Sequence, residues 1–438
     1  MRSQAIEVLV ATGVVLILTV PLSADRTADQ PDSWLVLYNA NVADSGSWAA
    51  WFATEWGIPT SHVLGLDASA AEHLQDAAAA ETQVFGPVRR FLADNPAIAE
   101  KVMGIVVGYR VPGHYGSAMF GVGGSSIASG LQDLRDDAIN LNPANPRNCG
   151  LGWLPAARLT RAAMAPDHYM VARIDAPSLA AAQAITLRAK TILNSGGVLS
   201  GAWVYYDYTD PFLPEGIWPA LRNTVLNPVF AGLAWRAYDE DTEQTPDDAF
   251  RFGTHDVRGW NDGRLRGNPA GPRILAYDMN SWGATTVRST TADAGRFVPN
   301  AIDAGYVAAL GCTGEPGSII GPYPDTLLAS LMLGWTLGEA FYLANPYDDF
   351  MWTLVGDPFL RIPDWVRVPS DFDADGDVDS NDFARFQACF NGPLAPPATD
   401  GCDGADLDRD GDVDVTDFGR FQACFSGSGI YAVPGCEQ

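Results

Sequence analysis

The stretch SWLVLYNANVADSGSWAAWFATEWGIPTSHVLGLD, residues 33–67, sets the architecture of most of this chain. An apolar run at 34–38 stops in a polar loop. A helical segment at 45–56 ends at Gly57-Ile58-Pro59, and a second apolar run covers 63–66. Short unbroken apolar runs bounded by turn residues predict buried strands, and this succession with short connections predicts a βαβ unit. The pattern recurs. Strands are expected at 102–107, 169–174, 202–206, 274–277 and 306–310, with a helix at 178–193. Strands alternating with helices predict an α/β fold, a mainly parallel sheet flanked by helices, over residues 33–366. Functional groups are then expected at the carboxyl ends of the strands.

Composition bounds the rest. The 438 residues are 47% hydrophobic and 11% aromatic, enough for a large core. A net charge of −26 argues against nucleic acid or an anionic membrane as partner, since both need a basic surface. The charge is uneven. Residues 371–438 hold 15 acidic and 3 basic side chains, a net of −12, while the other 370 residues carry −14. The acidic tail, residues 370–438, therefore reads as a separate unit. At the other end, Arg2, an apolar run at 8–22 and the small Ser23 and Ala24 read as a secretory signal peptide over residues 1–24. The run is short for a membrane span, and no span is expected in the mature chain. Four of the six cysteines lie in the tail, where parallel spacing favours Cys389–Cys402 and Cys424–Cys436 among three pairings. The sequence leaves open whether Cys149 and Cys312 meet.

The tail says the same thing twice. DFDADGDVDSNDFARFQACF at 371–390 returns as DLDRDGDVDVTDFGRFQACF at 406–425, and 16 positions are identical between 371–392 and 406–427. Each copy opens on a twelve-residue loop with Asp at positions 1, 3, 5, 9 and 12 and Gly at position 6. A hard divalent cation takes roughly six to eight oxygen ligands, and alternate residues of a tight loop deliver carboxylates to one point. Candidate ligands are Asp371, Asp373, Asp375, Asp377, Asp379 and Asp382, then Asp406, Asp408, Asp410, Asp412, Asp414 and Asp417. Asp377 and Asp412 would serve through their backbone carbonyls, leaving their side chains free. The spacing is that of an EF-hand calcium loop with Asp in place of Glu at position 12, so two Ca2+ ions are expected. Six aspartates per loop repel without a cation, which couples ion binding to folding. Val378 and Val413, at position 8, are placed to pair the two loops. A helix with one aromatic face follows each loop: Phe383, Phe386 and Phe390, then Phe418, Phe421 and Phe425. The two faces are expected to cover each other in a small all-α domain.

Two such loop–helix repeats resemble a type I dockerin domain, here a cysteine-containing variant. That resemblance implies two calcium ions, a cohesin-like protein partner that docks on the helix faces, and an extracellular or cell-surface location. By the same association it implies a link to polysaccharide breakdown. In the larger region the phrases LVLYNAN, WGIP, MVARIDAPS (170–178), GCTGEP (311–316), GWTLGEAFY (334–342) and WTLVGDPFLRIP (352–363) resemble a family of uncharacterised secreted bacterial proteins. The ending also resembles, more distantly, the gingipain-type peptidase domain, a caspase-like α/β fold with a His after one strand and a nucleophilic Cys after the next. That resemblance implies a hydrolase in which His255 acts as base, with Ser281 or Cys312 as nucleophile. Glu315, Glu339 and Asp357, in the same phrases, read as caps, turns or ion pairs.

Overall fold

The computed structural model describes residues 26–116, 124–135, 140–144, 159–194, 203–208, 234–238, 248–254, 273–278, 282–289, 297–315, 321–332, 334–348, 350–362, 368–372, 378–393, 402–408 and 410–427, with Ala432 and Cys436. The expected signal peptide, Cys149, His255, Ser281, Asp373, Asp375 and Asp377 lie outside these residues.

Ten strands form one sheet. They are β1 (Trp34–Asn39), β2 (Val63–Leu66), β3 (Gly104–Val107), β4 (Met170–Arg173), β5 (Trp203–Tyr208), β6 (Ala234–Tyr238), β7 (Asp248–Thr254), β8 (Leu275–Asp278), β9 (Ala308–Cys312) and β10 (Trp352–Gly356). Their spatial order is β6-β5-β7-β8-β9-β10-β4-β3-β1-β2. Parallel ladders join β2, β1, β3 and β4. Parallel ladders also join β6, β5, β7, β8 and β9. Between the two groups lies β10, antiparallel to β9 and meeting β4 at the single pair Val355–Arg173. The fold is therefore α/β with a mainly parallel sheet. The strands foreseen in the sequence are present with shifted ends, while β6, β7 and β10 were not foreseen. The five residues of β10 are one short apolar run, and periodicity alone cannot tell such a run from buried helix.

Every side chain of β3, β4, β9 and β10 is buried, as strands covered on both faces require. Helix α1 (Ala43–Trp56) stops where the sequence reading put its break. Gly57 adopts φ 71°, and the Gly57 and Ile58 amides close back on the Thr54 and Ala53 carbonyls. Helix α2 (Gly86–Asp94) follows β2. Helix α3 (Leu179–Leu193) is N-capped by Ser178, whose hydroxyl accepts from the Ala181 amide. Helices α4 (Phe297–Asp303), α5 (Pro324–Met332) and α6 (Leu337–Ala344) complete the layers. Glu339 has the cap role expected of it: Thr336 and Glu339 form a reciprocal capping box at the start of α6.

Asp357 does more than end a strand. Fully buried, its carboxylate accepts from Trp56 Nε1 at the end of α1 (3.0 Å) and from the Phe359 amide (3.0 Å). Phe359 in turn stacks on Trp56 and packs on Trp34. Burial pushes the Asp357 carboxyl up to about 6. Between the unfolded value near 4 and this folded value, the folded chain holds the proton more tightly, so stability falls as pH rises through that window. Urea unfolding of Asp357→Asn between pH 4 and 7 is expected to lose this slope, up to about 3 kcal/mol. An unchanged slope would mean the carboxyl titrates normally.

Candidate functional site

In the tail, α7 (Ser380–Cys389) and α8 (Val415–Cys424) follow the two acidic loops. Among the described residues the second loop gathers its carboxylates in two groups. Oxygens of Asp406, Asp408 and Asp410 lie within 4.8 Å of one another, as do those of Asp412, Asp414 and Asp417. The turn between them is made by Gly411 at φ 101°, a conformation that disfavours any side chain. Asp417 is fully buried and closes the loop: its carboxylate accepts from the amides of Leu407 (2.7 Å), Asp408 (3.1 Å) and Asp414 (2.8 Å). Asp382 does the same in the first loop, accepting from Phe372 and Asp379. Asp379 and Asp414 also N-cap α7 and α8, each in a capping box with the Asp three residues on. An all-oxygen, carboxylate-dense donor set on a tight loop suits a hard cation such as calcium or magnesium, not a soft or imidazole-seeking metal. One detail differs from the sequence reading: the Asp412 side chain is not left free but is buried beside Asp414 and Asp417.

Val378 and Val413 do not pair with each other. Instead each is held by the helix exit of the other repeat. The Asn391 and Gly392 amides, just past α7, both donate to the Val413 carbonyl (3.1 Å each), and the Val413 amide donates to Asn391 Oδ1. The Ser426 and Gly427 amides, just past α8, donate to the Val378 carbonyl, and the Val378 amide donates to Ser426 Oγ. The disulfides Cys389–Cys402 and Cys424–Cys436 form as expected, each starting at the last residue of a helix. The aromatic faces meet only in part. Phe386 and Phe421 are buried against each other (5.3 Å), with Phe372 stacked on both. Phe383 reaches Phe418 and Phe421 across the helices but stays partly open, and Phe390 and Phe425 at the helix ends are exposed. The acidic clusters and the disulfides are compatible with a calcium-binding module.

A second cluster sits where the α/β reading expected function, beyond the strands' carboxyl ends. Arg173, the last residue of β4, is 1% exposed. Its Nη2 donates to Glu72 Oε1 (3.0 Å) and Asp175 Oδ2 (2.6 Å). Arg288, in the segment after β8, donates Nε to the same Asp175 oxygen (2.7 Å), Nη1 to the Ala70 carbonyl and Nη2 to the Val111 carbonyl. Glu72 also accepts from Thr286 Oγ1 and the Val287 amide. Two carboxylates thus balance two guanidiniums, Asp175 and Arg173 buried and Glu72 and Arg288 half-buried. The attraction of those guanidiniums outweighs the desolvation of Asp175 and holds its carboxyl below the usual range. Arg110, with φ 64°, gives its amide to Asp175 as well. His114 lies alongside; burial, then Arg173, His73 and Arg288, lower it to about 3, so it is neutral. A neutral imidazole with so low a pKa is a weak base. The cluster is built for holding loops in place. None of these residues was singled out in the sequence, although MVARIDAPS contains both Arg173 and Asp175. Their partners are too distant in the chain for spacing to reveal.

Of the predicted catalytic residues only Cys312 is described. It is free, fully buried in the apolar core with Leu310, Tyr277 and Trp352, and burial pushes its thiol up to about 12. This setting does not favour the nucleophile role expected of the residue. A reactive thiolate needs an electropositive, reachable setting, and Cys312 has that of a packing thiol. Elsewhere a cavity of about 850 Å3 is lined by Phe85, Leu92, Tyr115, Asp133, Arg135 and Tyr169 among others. Among the described residues no helix is long and apolar enough to cross a membrane.

No family model and no curated protein matches the chain. A solved structure described as "Structure of Protease" is similar at 11% identity and a TM-score of 0.43, covering 76% of this chain and 78% of that chain. A likeness that remote carries no argument about activity.

Removing one member of the strand-end cluster strands the rest. Arg173→Met is expected to cost about 3–5 kcal/mol, because it leaves buried Asp175 and half-buried Glu72 with one guanidinium between them. Gly113→Ala is expected to cost about 1–3 kcal/mol, since its Cβ would sit 1.7 Å from Arg173 Nη1. Chemical denaturation of both variants against the parent chain checks the pair, and wild-type stability in Arg173→Met would show the network to be dispensable.

Proposed function

We propose that this chain is a secreted protein with a calcium-dependent docking module of the dockerin type. The module spans residues 370–438 and takes two Ca2+ ions. It fastens the α/β domain, residues 33–366, to a cohesin-like partner in an extracellular or cell-surface assembly, after removal of residues 1–24. The observation that carries this reading is the gathering of carboxylates on one short loop in two groups, Asp406 with Asp408 and Asp410, and Asp412 with Asp414 and Asp417. A closely similar sequence stands 35 residues earlier, where Asp379 and Asp382 repeat the roles of Asp414 and Asp417. Bound calcium supplies the positive charge that this crowding lacks. Asp417 and Asp382 order the loops through backbone amides, and Asp414 and Asp379 start the helices. A hydrolase reading rests on His255 and Ser281 alone, since Cys312 is buried in the core.

Calorimetric titration of the full chain is expected to give two calcium ions, and a melting temperature that rises with calcium. At about a hundredfold excess over Kd, each independent site adds about 2.7 kcal/mol. Asp417→Asn is expected to leave one ion. A cohesin module should be retained by the calcium-loaded chain and released by a chelator. A titration without uptake, at unchanged melting temperature, refutes the proposal.

A further inference from the structure

The way the repeats are strapped together has a consequence that the calcium reading alone does not contain. The second loop is held from two sides, both of them in reach of one disulfide. On one side, its position-8 residue Val413 is bonded through both amide and carbonyl to Asn391 and Gly392. Those residues follow one residue after Cys389, the last residue of α7. On the other side, Asp406 is reached from Cys402 through a single helical turn, Asp403–Ala405. Ala405 and Leu407 are buried in the tail's core with Val413 and Phe421. The Cys389–Cys402 bond ties these two sides together. The first loop is held by the other pair: Val378 is bonded to Ser426 and Gly427, which follow Cys424, the partner of Cys436.

We propose that the disulfides control calcium in a crossed manner: Cys389–Cys402, at the end of the first repeat, sets the calcium affinity of the second loop. The Cys424–Cys436 bond does the same for the first. This rests on the calcium reading above and names its regulation. While Cys389–Cys402 is intact, the start of the second loop and the strap on Val413 are prearranged, so ion binding has less chain to order. Opening it breaks one S–S bond and forms two thiols. The two electrons and two protons come from a dithiol reductant, which closes to its own disulfide. The second loop must then order its start and its strap at the expense of calcium affinity.

The test uses the full chain, with calcium ion alone as probe, in two paired forms: Cys389→Ser with Cys402→Ser, and Cys424→Ser with Cys436→Ser. Competition against a calcium chelator gives the two affinities. Amide hydrogen exchange in calcium reports residues 371–382 and 406–417 separately. Loss of Cys389–Cys402 is expected to weaken one ion by about tenfold or more. It should speed exchange in 406–417 more than in 371–382, with the reverse pattern in the other pair. Equal effects on both loops, or a larger effect of each disulfide on the loop of its own repeat, would overturn the crossed assignment. Unchanged affinity and exchange in both pairs would overturn disulfide control while leaving the calcium reading intact. A parent chain that takes up no calcium would sink both.

Discussion

Buried Arg173 and Asp175 at the strand ends must be satisfied together with half-buried Arg288 and Glu72, and the course of the loops follows from that demand. Glu72 comes after β2, Arg173 and Asp175 end β4, and Arg288 comes after β8. A buried ion left alone costs several kcal/mol, so none of these loops can shift without the others. Arg288 is the widest brace: one guanidinium reaches Asp175 and the carbonyls of Ala70 and Val111. It ties the loop after β8 to the group of strands on the far side of β10. Gly113 has to be glycine for the same reason, because the Arg173 guanidinium lies where a side chain would start. The left-handed conformation of Arg110 delivers its amide to Asp175. Strain of this kind persists only where the surroundings over-determine it.

The tail meets the same electrostatic demand by a different route. In the α/β region acidic groups find arginines from elsewhere in the chain. In the tail, 15 acidic residues face 3 basic ones, so internal ion pairing cannot neutralise the loops. Backbone amides take up part of the load on Asp382 and Asp417, and the helix starts take up part of that on Asp379 and Asp414. The remainder calls for a cation. The apolar contribution is a small cluster in which Val378, Val413, Leu407, Phe386 and Phe421 are buried, and the two disulfides and the crossed backbone straps add to the order. A small unit with so little core commonly needs such crosslinks and ions.

How much was legible in the sequence depended on the range of the interaction. Helix α1 and its stop at Gly57 were legible because apolar spacing and a left-handed glycine act within a few residues. The paired cysteines were legible because the repeat put them at nearly equal spacing, 13 and 12 residues. The Phe stripes are helix faces as their spacing indicates, yet Phe390 and Phe425 at the helix ends stay exposed, and Phe372, outside the stripe, joins the buried pair. The position of β10 was hidden, since nothing local distinguishes an antiparallel strand inserted between two parallel groups. The strand-end cluster was hidden as well: Arg173 and Glu72 are separated by 101 residues, and Arg288 and Asp175 by 113.

By itself, then, the sequence determined the class of the fold, the acidic loop–helix repeats and the disulfide pairing. Each is written in a short period or a repeat: alternation of apolar runs with helices, and oxygen-bearing residues at every second position around a glycine. Tertiary structure alone decided which buried charges neutralise one another. It also decided that Asp357 is a buried hub and that Cys312 is sealed in the core. It crossed the straps so that each loop depends on the other repeat's helix exit. The physical reason is that desolvation and charge pairing depend on three-dimensional distance, and residues a hundred positions apart acquire that distance only when the sheet is complete.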